Sequence, residues 1–139
     1  LYENRPYDGI KELLGQLKEK GFQLGVASSK PEHMVREILH HFHMEDYFRV
    51  IRGSVPERLK MTKAEVVEEA LKDLGYEQRR EEAVMIGDRK YDVTGARTAH
   101  LACIGVTYGY GTEEELKEAG ADFVVHSVKE LGRLLMEER

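Results

Sequence analysis

Apolar residues recur along this chain with two alternating periods. Ile10, Leu13, Leu14 and Leu17 fall on one face of a helix that should end near Gly21. The run "FQLGVA" (22–27) then reads as a strand. Pro31 follows, suited to the first position of a helix that carries Met34, Val35, Ile38 and Phe42. "FRVIRG" (48–53) is a short strand candidate. Residues 62–74 predict a helix with Val66, Val67, Ala70 and Leu71 inward and Gly75 just beyond its end. "AVMIG" (83–87) and "LACIGV" (101–106) are two more strands, separated by a helix that starts after Asp88. "DFVVH" (122–126) is the last strand, and Val128, Leu131, Leu134 and Leu135 stripe a terminal helix. Thr62 with Glu65, Thr112 with Glu115, and Ser127 with Glu130 have the spacing of capping boxes. Helices alternate with mostly solid apolar strands, and that pattern predicts an α/β fold: a parallel sheet with helices on both faces, in three layers. No repeat, low-complexity tract or internal linker interrupts it, so the chain is expected to be a single domain over residues 1–139.

In open α/β sheets, ligands sit beyond the carboxyl ends of the strands, so the residues after each strand matter most. After "QLGVA" come Ser28, Ser29, Lys30 and Pro31. Hydroxyls and free N–H groups at a helix start make a phosphate cradle, although a serine there can equally be a plain cap. Lys63 opens the next helix, where the dipole disfavours a cation by roughly 0.3–1 kcal/mol. A solvated lysine tolerates that cost; an anion shared with the helix end would offset it. The stretch "VMIGDRKYDVTGA" places Asp88 and Asp92 at the end of an apolar strand. One reading makes Asp88 an N-cap and Asp92 a complement to the helix dipole. The other makes them a carboxylate site for a hard cation such as Mg²⁺, which takes few protein oxygens and leaves room for a phosphate.

Composition narrows the classes. The 139 residues carry a net charge of −5, which argues against a general nucleic-acid binder. No apolar run approaches a membrane span and no secretory signal is visible. The one cysteine, Cys103, falls inside a strand, so no disulfide is expected, and a reducing, cytoplasmic setting is favoured. His40, His41 and His43 in "HHFH" suggest either a metal site or helix-end cations, and their irregular spacing favours the latter. Arg52, Arg58 and Arg89 are candidate cations for an anionic substrate, though spacing alone does not place them. Tyr108 and Tyr110 lie on the glycine-rich "TYGYG" loop without an assigned role.

Taken together, these residues resemble the haloacid dehalogenase superfamily of phosphatases, in its phosphoglycolate phosphatase-like and 5′-nucleotidase-like branch. The family's strand ending in Ser or Thr is matched by Ser28 in "GVASSKP". Its helix-opening lysine is matched by Lys63 in "KMTKAEVVEEAL", and its acidic pair by Asp88 and Asp92 in "MIGDRKYDVTGA". "ENRPYDGIKELLGQLKEKG" and "GVTYGYGTEEELKEAGAD" also look like this branch. The resemblance implies that Asp88 ligates Mg²⁺, that Asp92 supports the metal's water shell or the lysine, and that Ser28 and Lys63 bind phosphate; Ser29 and Lys30, beside Ser28, are candidates for the outer side of the same phosphate. It implies a small phosphorylated metabolite as substrate, phosphoglycolate or a nucleoside monophosphate.

The resemblance also exposes a gap. The family's nucleophile and general acid/base are aspartates of an Asp-x-Asp motif, which these 139 residues lack. The helical cap between that motif and the serine strand is absent too, and the opening Leu1-Tyr2-Glu3-Asn4 resembles the return from such a cap. The expectation is therefore an incomplete core lacking its central nucleophile strand, which the family places between residues 22–27 and 83–87. Two rivals remain. A non-catalytic phosphatase-like binding module would explain the missing nucleophile. A receiver-type signalling domain shares the layout, but its acidic cluster belongs near the first strand, where this chain has none.

Overall fold

The computed structural model describes residues 7–58 and 61–137. The opening tetrapeptide with its cap-like resemblance, and Lys60 at the start of the lysine motif, lie outside the described residues. The chain divides into two compact units, Leu1–Glu77 and Gln78–Arg139. No helix among the described residues is long and apolar enough to cross a membrane.

The first unit comprises α1 (Ile10–Glu19), β1 (Gly25–Pro31), α2 (Glu32–His41), β2 (Val50–Ser54) and α3 (Lys63–Leu74). β1 and β2 pair in parallel, and both α2 and α3 pack against them. Its core gathers Leu13, Leu14 and Leu17 of α1, Val35 of α2, Val50 and Ile51 of β2, and Val66, Val67, Ala70 and Leu71 of α3. These are the positions that helical and strand periodicity assign inward. Thr62 makes a complete capping box: its hydroxyl accepts from Glu65 N, and the Glu65 carboxylate accepts from Thr62 N at 2.8 Å.

The second unit is a βαβαβα run: β3 (Val84–Gly87), α4 (Lys90–Thr98), β4 (Ala102–Val106), α5 (Glu113–Ala119), β5 (Phe123–Val125) and α6 (Val128–Met136). The three strands are parallel in the order β3-β4-β5, with Val84 opposite Ala102 and Ile104 opposite Phe123. Val93, Ala96, Cys103 and Leu116 are wholly buried. Cys103 is a free, buried strand residue.

Several boundaries differ from the sequence expectation. The first strand begins at Gly25 rather than Phe22, because Phe22 N donates to Leu17 O at 3.0 Å and Gly21 N to Lys18 O. That pair is the Schellman wrap of α1, so the apolar Phe22 belongs to a helix end and stands 38% exposed. The strand also runs further, through Ser28, Ser29 and Lys30. Pro31 is its last residue, extended at ψ 136°, and precedes the helix instead of opening it. Not every apolar strand is sealed: Val84 and Ile86 of β3 are 39% and 40% exposed, whereas Cys103 and Ile104 of β4 are buried. β1 pairs only with β2 and β3 only with β4, so residues 22–27 and 83–87 share no ladder among the described residues.

Candidate functional site

In the first unit, the candidate phosphate-binding residues fall on an irregularity. β1 and β2 are in register at Gly25–Val50, Val26–Ile51 and Ala27–Arg52, and again only at Pro31–Ser54. Ser28, Ser29 and Lys30 therefore lie opposite the single residue Gly53. Such bulges redirect side chains at the ends of strands. Here the Ser28 hydroxyl accepts from Lys30 N at 3.1 Å, which folds the segment on itself. Ser28 is half-buried, while Ser29 and Lys30 are exposed. Lys63 is the first helical residue of α3, next to its capping threonine.

Arg52 and Arg58 are engaged elsewhere. Arg52 binds Glu69 and lies 3.3 Å from Asp73, and Arg58 also binds Glu69. Arg52 first, with Arg58, holds the Glu69 carboxyl below the usual carboxylate range. These pairs fasten β2 and the following loop to α3. An open cleft of about 620 Å³ nearby is lined by Arg36, Arg49 and Arg52 together with Glu45, Asp46 and Asp73. The histidines of "HHFH" also receive a structural account. His40 Nδ1 lies 2.5 Å from Glu45 Oε1, and His43 takes a left-handed backbone at φ 58° that closes α2. Among the described residues, no group of three or more His, Cys, Asp and Glu is arranged to hold a metal ion.

In the second unit, Asp88 and Asp92 do different work. The N-cap of α4 is Arg89, not Asp88. Asp92 Oδ2 accepts from Asp88 N at 3.0 Å and from Arg89 N at 3.2 Å, so it binds the backbone that presents Asp88. A Cβ on Gly87 would overlap the Asp92 side chain, which explains glycine at the strand end. Asp88 turns the other way: its Oδ2 accepts from Tyr110 N at 3.0 Å. The loop can come this close because Gly109 and Gly111 flank Tyr110. A Cβ at Gly109 would overlap the Asp88 carboxylate, and one at Gly111 would overlap the Asp88 carbonyl oxygen. Arg89 reaches Glu115 on α5, 2.9 Å from Nε to Oε2, and the same oxygen accepts from Lys90 N at 2.7 Å. Arg89 first, then the Lys90 N–H, holds the Glu115 carboxyl below its ordinary range.

The donor chemistry around Asp88 fits a hard divalent cation. Mg²⁺ uses one or two protein carboxylates and takes its remaining oxygens from water and phosphate. Asp88, with one oxygen oriented by a backbone N–H, is the residue suited to ligate it, and Asp92 is suited to hold the loop. Ser28, Ser29, Lys30 and Lys63 are thus in the first unit, and Asp88 and Asp92 in the second. Sequence reading missed Glu115, Gly109 and Gly111. The alternating glycines of "TYGYG" were the available signal for a close backbone approach, and Glu115 was assigned only to its own helix.

Residues 2–106 match the sequence model of the family described as Haloacid dehalogenase-like hydrolase. Over 117 residues the chain is 44% identical to the 5′-nucleotidase of Pseudomonas aeruginosa, covering 84% of this chain and 52% of that protein. It is 36% identical over 124 residues to the tyrosine-protein kinase PtkA of Mycobacterium tuberculosis, covering 89% and 42%. The crystal structure of a predicted phosphatase from Clostridium acetobutylicum superimposes with a TM-score of 0.92 at 47% identity, over 99% of this chain and 62% of that one. The chain thus spans about half the length of the curated relatives it matches.

Proposed function

Because the chain belongs to the haloacid dehalogenase-like hydrolase family, we propose that the full-length protein is a Mg²⁺-dependent phosphomonoesterase acting on a small metabolite. In this reading an aspartate of an Asp-x-Asp motif carried elsewhere in the protein attacks phosphorus and forms an aspartyl-phosphate. The second aspartate of that motif protonates the leaving oxygen, and water then releases phosphate. Ser28 donates a hydrogen bond to the transferring group, with Ser29 and Lys30 at its outer side. Lys63 neutralises its equatorial oxygens. Asp88 holds Mg²⁺, which supplies positive charge to the phosphate and the nucleophile. Asp92 keeps the Asp88 loop in place. The observation that carries this reading is the order Ser28, Lys63, Asp88, Asp92 inside the matched family region. The lone buried Cys103 fits a cytoplasmic setting.

The substrates in view are a nucleoside monophosphate, as the 5′-nucleotidase relative suggests, and phosphoglycolate, as the motif resemblance allows. The kinase-named relative favours a second reading, phosphoryl transfer to protein tyrosine. A release assay separates them. Full-length protein with Mg²⁺ should liberate inorganic phosphate from nucleoside monophosphates or phosphoglycolate, and excess chelator should abolish the release. Phosphate appearing on tyrosine from ATP, without hydrolysis of either small ester, would favour transfer instead. Neither activity in the full-length protein would favour a non-catalytic module.

A further inference from the structure

We propose that Glu115 is a positioning residue for Asp88. The inference rests on the reading above, in which Asp88 holds the metal. It comes from a capping box that the structure leaves half made. At the start of α5, Thr112 Oγ1 accepts from Glu115 N at 3.0 Å, which is the first half of the box. The second half would return the Glu115 carboxylate to Thr112 N. Glu115 Oε2 instead crosses to α4 and accepts both Lys90 N at 2.7 Å and Arg89 Nε at 2.9 Å.

The two residues that Glu115 grips directly follow Asp88. From the other side, Tyr110 N holds Asp88 Oδ2 at 3.0 Å, and Gly109 and Gly111 press the loop onto Asp88 with no room for a Cβ. That loop leads through Thr112 into α5, so Glu115 ties both ends of the arrangement together. One carboxylate oxygen accepting from two donors, one of them cationic, is a charge-assisted contact of the stronger kind. The Glu115 side chain is 23% exposed, so water competes for this contact only in part. With Oδ2 engaged by Tyr110 N–H, the other Asp88 oxygen is left to ligate the cation in that reading. Glu115 acts on that oxygen through the backbone and touches no reacting atom.

The test is Mg²⁺ binding to the full-length protein without substrate, measured by titration calorimetry. Glu115→Ala should weaken the Mg²⁺ dissociation constant by roughly 10-fold or more, as loss of outer-shell support commonly does. Glu115→Gln keeps an acceptor for Lys90 N but loses the charge facing Arg89, and should fall between Glu115→Ala and the parent. Ser127→Ala removes the comparable cap of α6 and should leave Mg²⁺ affinity within about twofold while costing similar stability. Raising Mg²⁺ should restore turnover in Glu115→Ala but not in Asp88→Asn. If Asp88→Asn abolishes binding while both Glu115 variants bind as the parent does, Glu115 has no positioning role and the metal reading stands. If Asp88→Asn binds Mg²⁺ normally, the metal reading fails and this proposal fails with it. Should the alanine variant not fold, the glutamine variant carries the same comparison.

Discussion

His43 and His100 show how a single backbone angle can explain a residue that looks chemical. Both have positive φ, 58° and 61°. Each donates its N–H three residues back, while the next residue donates five residues back: His100 to Arg97 and Leu101 to Ala96. Gly21, Gly75 and Gly120 close their helices by the same pair of bonds. A histidine tolerates this conformation better than most side chains but still at a cost. His100→Gly should therefore stabilise the protein by about 0.5–1 kcal/mol, less what glycine adds to unfolded-state entropy, as read from a denaturant midpoint. His126 gives a pH-dependent counterpart. Its ring lies 3.1 Å from Glu113 and 3.5 Å from Glu130, and chiefly the Glu113 hydrogen bond raises its pKa above 6.5. The folded state then holds the extra proton. The contribution is full below the unfolded pKa and is lost as pH rises through the folded one. The melting temperature of the parent should exceed that of His126→Gln by more at about pH 5.5 than at about pH 8.5. An equal difference at both would remove His126 from the account.

Elements were legible where period and punctuation agreed. α3 is the clear case: four inward apolar residues, a threonine cap, a glutamate three residues on and a glycine stop all point to the same helix. Thr62→Ala should cost about 1 kcal/mol, since both halves of its box are made. A loss below about 0.3 kcal/mol in chemical denaturation would mean the cap is redundant. β1 was less legible, because apolarity marked Phe22 as strand while a long-range-looking choice was settled by the local wrap of α1. Its bulge at residues 28–30 has no hydrophobic signature, as pairing with β2 decides it. The acidic pair is visible at once in the sequence, but the backbone partners of its two carboxylates are not. That Asp92 serves the backbone and Asp88 meets Tyr110 N depends on a loop that returns from beyond β4. Leu116 illustrates the packing of α5 on β4. It is wholly buried against Gly105, and Leu116→Ala should cost about 2–5 kcal/mol, visible as a lowered melting temperature.

At the scale of the molecule, alternation of helix and strand was enough to read an α/β fold. The 0.92 TM-score to a phosphatase structure agrees with it. What sequence periodicity could not reveal was the division into two compact units, since it reports faces of elements and not their clustering. Nor does the described chain contain every group the proposed reaction needs, because no Asp-x-Asp occurs in its 139 residues. The proposed function requires both Lys63 and Asp88 for phosphate release. Its most direct test is Mg²⁺-dependent phosphate release by the full-length protein, comparing the parent with Lys63→Ala and Asp88→Asn. Each variant should stay folded and lose about 10²–10³-fold in turnover, the usual consequence of removing one preorganised electrostatic contact. Near-parental turnover in both would contradict the claim.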